Sequence, residues 1–192
     1  MEANINQTAD FDRLVFRMNC AYGCFVMWKY IKKSFSIPEV GEQEAERRAE
    51  IMNAYGGIFT GVQYATENTF ITDLHKLFDK SNSNLKLKTL VDKLPESDKK
   101  RAEILLKPLE KEIERVKELR HNFTAHDPKT PKEEQIFTEE IEKIFSVVQQ
   151  VLNIASGSIG REHMTWDSWE GSNEETFTRL LEDMERGANE RK

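Results

Sequence analysis

Leu105-Leu106-Lys107-Pro108-Leu109-Glu110-Lys111-Glu112-Ile113-Glu114-Arg115-Val116-Lys117-Glu118-Leu119-Arg120-His121-Asn122-Phe123 is the stretch that decides the fold class of this chain. Leu105, Leu109, Ile113, Val116, Leu119 and Phe123 recur at steps of three and four, which lays one apolar stripe along a helix. Lys, Glu and Arg fill the positions between, so the opposite face is solvated. Ser97 can cap the start of this helix, and Pro108 should kink it. At the far end Asp127 precedes Pro128, whose ring disfavours helical dihedrals before it and cannot donate the next backbone bond. The helix is expected to stop there.

Working outward, the same period recurs on both sides. Thr8 or Asp10 can cap a first helix whose apolar positions run from Phe11 to Ile31, closed by Pro38 and Gly41. A charged helix is expected from about 42 to 55. Gly56-Gly57 breaks or bends the chain before Ile58, Phe59, Val62, Phe70, Leu74 and Leu77 resume the pattern. Ser81-Asn82-Ser83-Asn84 is a polar loop, and residues 85–94 read as a short helix ended by Pro95. Beyond Pro128, Thr130-Pro131-Lys132-Glu133 has capping-box spacing with proline at the first helical position, and Thr138 offers a second start. Ile141, Ile144, Phe145, Val148, Val151, Leu152 and Ala155 mark a buried helix ending near Gly157 or Gly160. Residues 161–173 hold Trp166 and Trp169 among Gly, Ser and Asp and read as a loop whose tryptophans either fold onto a core face or form a binding patch, the former being the commoner use, and 174–186 as a short final helix. No stretch alternates as a strand does. The fold class is therefore all-α.

Length and composition fit that class. A chain of 192 residues, 38% hydrophobic and 32% charged, can bury a full core without metal or disulfide staples. The expected domain is a helical bundle over 1–160, with 161–192 as a Trp-containing loop and short helix packed on it or appended. No apolar run reaches membrane-spanning length, and the start lacks the basic and apolar blocks of a signal peptide, so no membrane association and a cytoplasmic address are expected. Cys20 and Cys24 lie one helical turn apart with no second pair, so buried thiols are expected and no metal site. Asp73, His75 and Asp79, or Glu162 and His163, lack the paired spacing of a helical di-metal hydrolase. Neither cysteine has a histidine near in sequence to serve as a nucleophile's base. No cofactor is expected.

The polar chemistry gathers at the foot of the long helix, in Arg120-His121-Asn122-Phe123-Thr124-Ala125-His126-Asp127. Unpaired carbonyls at a helix end favour a cationic imidazole, and Asp127 adds to that effect on His126. A guanidinium beside such a histidine suits phosphate. The same features also arise where cations merely offset a helix dipole. Six residues advance a helix by about 600°, leaving Arg120 and His126 roughly 120° apart and about 9 Å along the axis. Asn122, four before His126, can orient its ring.

These residues resemble the signature of the HEPN superfamily, most closely its abortive-infection AbiU-like branch. Arg120, His121, Asn122, Phe123, Ala125, His126 and Asp127 mirror that branch's arginine, polar pair, hydrophobic residue, alanine, histidine and aspartate. A weaker likeness is Asp73-Leu74-His75-Lys76-Leu77-Phe78-Asp79, followed by Leu85, Leu87 and Leu90. The likeness covers roughly residues 50–155. It implies a HEPN-type bundle of about four to five core helices with extra N-terminal and C-terminal helices, assembled as a homodimer. It also implies a metal-independent endoribonuclease of bacterial phage defence or toxin–antitoxin systems, with RNA as substrate and an antitoxin or defence-system partner. Arg120 and His126 would be catalytic, and His121, Asn122 and Asp127 supporting or substrate-binding. The alternative is a catalytically silent dimer that binds RNA, nucleotide or protein.

Charge bears on the RNA expectation. The net charge of −6 is not the basic balance usual for nucleic-acid binders. The acid is uneven, however. Residues 133–192 hold fourteen acids against six bases, whereas residues 74–101 hold eight bases against four acids. Lys76, Lys80, Lys86, Lys88, Lys93, Lys99, Lys100 and Arg101 are therefore candidates for a local positive surface, or for an ordinary solvated face.

Overall fold

The computed structural model describes residues 2–79, 86–124, 138–165 and 167–190, and among them every regular element is helical. In chain order these are α1 (Glu2–Lys33), α2 (Ile37–Val40), α3 (Glu42–Ala54), α4 (Gly56–Phe78), α5 (Leu87–Asp92), α6 (Glu96–Leu106), α7 (Glu110–Thr124), α8 (Thr138–Ser158) and α9 (Asp167–Asn189), with a 3₁₀ turn at Lys107–Leu109. The all-α reading holds. The chain divides into two compact units: residues 1–21 with 71–165, and residues 22–70 with 166–192.

In the first unit α8 is the central element, with α5, α6 and α7 packed on it. Its apolar stripe of Ile141, Ile144, Phe145, Val148, Val151, Leu152 and Ala155 is buried as the spacing predicts. Facing residues are Ala102 of α6, Leu87 and Val91 of α5, and Val116 and Leu119 of α7, all buried. Pro108 occupies the 3₁₀ turn between α6 and α7. A residue without an N–H cannot close the next α-helical bond, so the stripe continues in a new helix after a break. Gly160, at φ 70°, takes the left-handed conformation that ends α8. The chain then returns along α8: Gln149 and Asn153 donate to the Met164 carbonyl, the Met164 N–H donates to Asn153, and Ser156 donates to the Glu162 carbonyl.

The second unit is built on aromatics. Phe25, Trp28 and Phe70 pack with ring centroids 5.4 to 6.0 Å apart. Beside them Ile31, Ile51, Phe59, Phe177 and Leu181 form a buried cluster. α3 packs on α9, and Arg47 of α3 bridges Glu44 on its own helix and Glu185 of α9. Gly41, at φ 84° and ψ 159°, makes the turn between α2 and α3, a conformation that a side chain would strain.

Three expectations need correction. Residues 167–173, read as loop, belong to α9, because Phe177 and Leu181, one turn apart, give this helix a buried stripe. α1 begins at Glu2, ahead of both proposed caps. The cysteines were expected to be buried, yet Cys20 is exposed and Cys24 half-buried, and neither is in a disulfide. The Ser81–Asn84 loop, the capping box at Thr130 and Trp166 lie outside the described residues, and Trp169 is placed on α9.

Candidate functional site

α7 is fixed by burial on one side and by charge on the other. Val116 and Leu119 are buried, while Arg115 pairs with Glu140 of α8 at 3.3 Å and Glu112 pairs with Lys143 of α8. These contacts seat the first three turns of α7. Arg120 stands four residues after buried Val116, so its stem leaves the helix beside the apolar stripe; it is half-buried and its Nε is buried. His121, about 200° round the helix from Leu119, is exposed. Lys117, Arg120 and His121 stand at i, i+3 and i+4, which makes one patch of three basic side chains. Lys117 is paired with Glu114.

Facing this patch is a residue that sequence reasoning did not assign to the site. His75 of α4 is only 8% exposed, and its ring meets that of His121 edge to face, with centroids 6.5 Å apart. It lies among Ile71, Leu74 and Leu77, on the apolar side of α4. Its Nδ1 is buried with no hydrogen-bond partner among the described residues. Burial, and then the Arg120 guanidinium, hold His75 below the ordinary histidine value; Asp79 opposes this, while His121 and Lys117 add to it. The neutral form of the His75 imidazole is therefore favoured. The signal for it in the sequence was a histidine on an apolar helical face, within the weaker of the two likenesses.

The structure thus brings together Arg120 and His121 and adds His75. Asn122 is placed on α7, and His126 and Asp127 lie outside the described residues. No group of three or more metal-ligating side chains is present among the described residues. Arg120 with Lys117 can receive a phosphate oxygen, and the imidazole of His75 can exchange a proton.

The basic segment behaves differently from a broad cationic surface. Lys76 pairs with Asp73, Lys93 with Asp10, Lys99 with Asp92, Lys100 with Glu96 and Arg101 with Asp98, at 3.1 to 3.7 Å. Lys86 is buried. Lys88 is exposed, and Lys80 lies outside the described residues. Most of the local excess of positive charge is therefore answered within the fold. Among the described residues no helix is long and apolar enough to cross a membrane.

A family model described as HEPN_AbiU2 (AbiU2) matches residues 16–180. No curated protein and no solved structure gives a significant match. The matched range includes α3 to α8, all of the Arg120 motif and most of α9.

Proposed function

The chain belongs to the AbiU2 family of HEPN domains, and from that premise we propose that it is a metal-independent endoribonuclease of a bacterial defence or toxin system. The observation that carries this reading is the patch at the end of α7, where Arg120, Lys117 and His121 stand together on a helix pinned to α8. In the proposed reaction the RNA's own 2′-hydroxyl attacks the adjacent phosphorus. Its proton passes to a base, the bond to the 5′-oxygen breaks, and that oxygen leaves with a proton from an acid. The ends are a 2′,3′-cyclic phosphate and a 5′-hydroxyl. Arg120 binds the scissile phosphate and stabilises the charge that grows on it, and His126 moves a proton. His121 contacts the phosphate or tunes Arg120, while Asn122 and Asp127 orient and charge His126.

One motif copy makes a loose pair, so the active species is proposed to be a homodimer in the cytoplasm, where two motif helices line one groove. The ion pairing of the 74–101 segment supports a second reading, a silent module that binds RNA, a nucleotide or a protein partner. One experiment separates the two. Purified protein is incubated with mixed transfer and messenger RNA in EDTA, beside Arg120→Ala and His126→Ala. Cleavage by wild type alone, with cyclic-phosphate ends and unchanged circular dichroism in the variants, is expected. Equal cleavage by both variants would remove these residues from the mechanism, and no cleavage of any RNA favours the silent module.

A further inference from the structure

His75 stands at a place on α4 where an aliphatic side chain would satisfy the packing. Ile71 precedes it by one turn, and Leu74 and Leu77 flank it, all buried. An imidazole there brings a polar nitrogen into the interior, and Nδ1 finds no acceptor or donor among the described residues. A buried polar atom left in that condition is destabilising, so packing alone gives no reason for the residue. What surrounds it does. The charged and titratable groups facing it are Lys117, Arg120 and His121 from α7 and Asp79 from the end of its own helix. Lys117 shares its charge with Glu114. The ring is thus held neutral by burial and by a neighbouring guanidinium.

We propose that His75 is the proton-switching member of an anion site formed with Lys117, Arg120 and His121, and that a phosphodiester seated there brings a proton onto the His75 ring. The inference rests on the reading of Arg120 as a phosphate ligand. A bound phosphate oxygen offsets the guanidinium charge that disfavours protonation, and an opposite charge within a few ångströms favours the cationic imidazole. Once protonated, both ring nitrogens are donors, and the ring holds a buried positive charge beside the anion. Binding and protonation then favour each other, because linkage is reciprocal. His75 acts through the charge of the site and is a positioning residue; the bond-breaking steps are left to the groups named above.

The test uses ring C–H NMR, which resolves each of the chain's four histidines, His75, His121, His126 and His163. Their midpoints are followed against pH in the free protein, with inorganic phosphate, and with an oligoribonucleotide blocked against cleavage by 2′-O-methylation. His75→Gln assigns the resonance, and single glutamine variants at the other three assign it by elimination if that variant does not fold. The expected result is a His75 midpoint below the ordinary value in the free protein, raised by about one pH unit with either anion. The rise is absent in Arg120→Ala and present in His126→Ala. RNA that is bound or cleaved while the His75 midpoint stays put overturns the inference and leaves the nuclease reading standing. A rise with phosphate, but no cleavage of unblocked RNA, keeps the anion site and removes the nuclease. No rise with either anion and no cleavage removes both.

Discussion

Two titrating residues connect the fold of this protein to pH, and both contributions are lost on acidification, in different ranges. His75 has a folded value below its unfolded one, so the unfolded chain takes up a proton more readily. The stability tied to its neutral form is present above the ordinary histidine value near 6.5 and is lost as pH falls through that value. Thermal melts between pH 7.5 and 5 should therefore show wild type losing more melting temperature on acidification than His75→Gln. Parallel curves would show that the ring's burial carries no such linkage. Glu44 belongs to a lower window. The Arg47 guanidinium beside it holds its carboxylate at about 2, against an ordinary value of 4.5, with Arg48 assisting. Its contribution is present above 4.5 and is lost as pH falls towards 2. The side chains are partly exposed, so Glu44→Gln should cost only about 1 kcal/mol or less at pH 7, read by urea denaturation, and the difference should vanish near pH 2. Arg120 and His121 were legible in the sequence because their spacing is local. His75 was legible as a histidine and not as a site residue, since its neighbours come from a helix far along the chain.

Helices obey larger forces than these charges. Leu152 of α8 is fully buried on the stripe that gathers α5, α6 and α7. Leu152→Ala removes several methyl contacts and leaves a cavity, at a cost of roughly 2 to 5 kcal/mol. Lys143→Ala removes a half-exposed partner of Glu112 on the same helix and should cost about 1 kcal/mol or less. Denaturant midpoints of the two variants check the ranking; an equal loss would mean that ion pairing, rather than apolar contact, seats α7 on α8. The starts of α3 and α8 were legible because Gly41 and Thr138 punctuate strong patterns. α9 was shortened because Ser168, Gly171, Ser172 and Asn173 carry loop propensity. Local propensity is worth tenths of a kilocalorie to about one per residue, and a buried stripe such as Phe177 with Leu181 overrides it.

At the scale of the whole chain the net charge is −6, so the proposed RNA binding would have to come from local field rather than from overall attraction. Surface charges farther apart than about 8 Å are screened at physiological salt. The basic residues of 74–101 are largely paired with acids, and Lys117 is paired with Glu114, so on the proposed reading Arg120 and Lys117 are taken as the two phosphate contacts of each motif helix, Lys117 exchanging Glu114 for phosphate. Counterion release gives a slope of about 0.7 per phosphate contact on single strands. Two contacts then predict that affinity falls roughly sevenfold between 50 and 200 mM salt, and four contacts from a dimer roughly fiftyfold. A face using all eight bases of 74–101 would lose on the order of a thousandfold or more over the same range. Fluorescence anisotropy with a cleavage-blocked oligoribonucleotide measures this slope directly. A value near the fiftyfold figure fits two motif helices sharing one groove, and its halving on a logarithmic scale in Arg120→Ala would assign half the contacts to that arginine. A thousandfold loss would instead mean that the lysines exchange their acidic partners for phosphate, and RNA would then be held along α5 and α6 rather than at the end of α7.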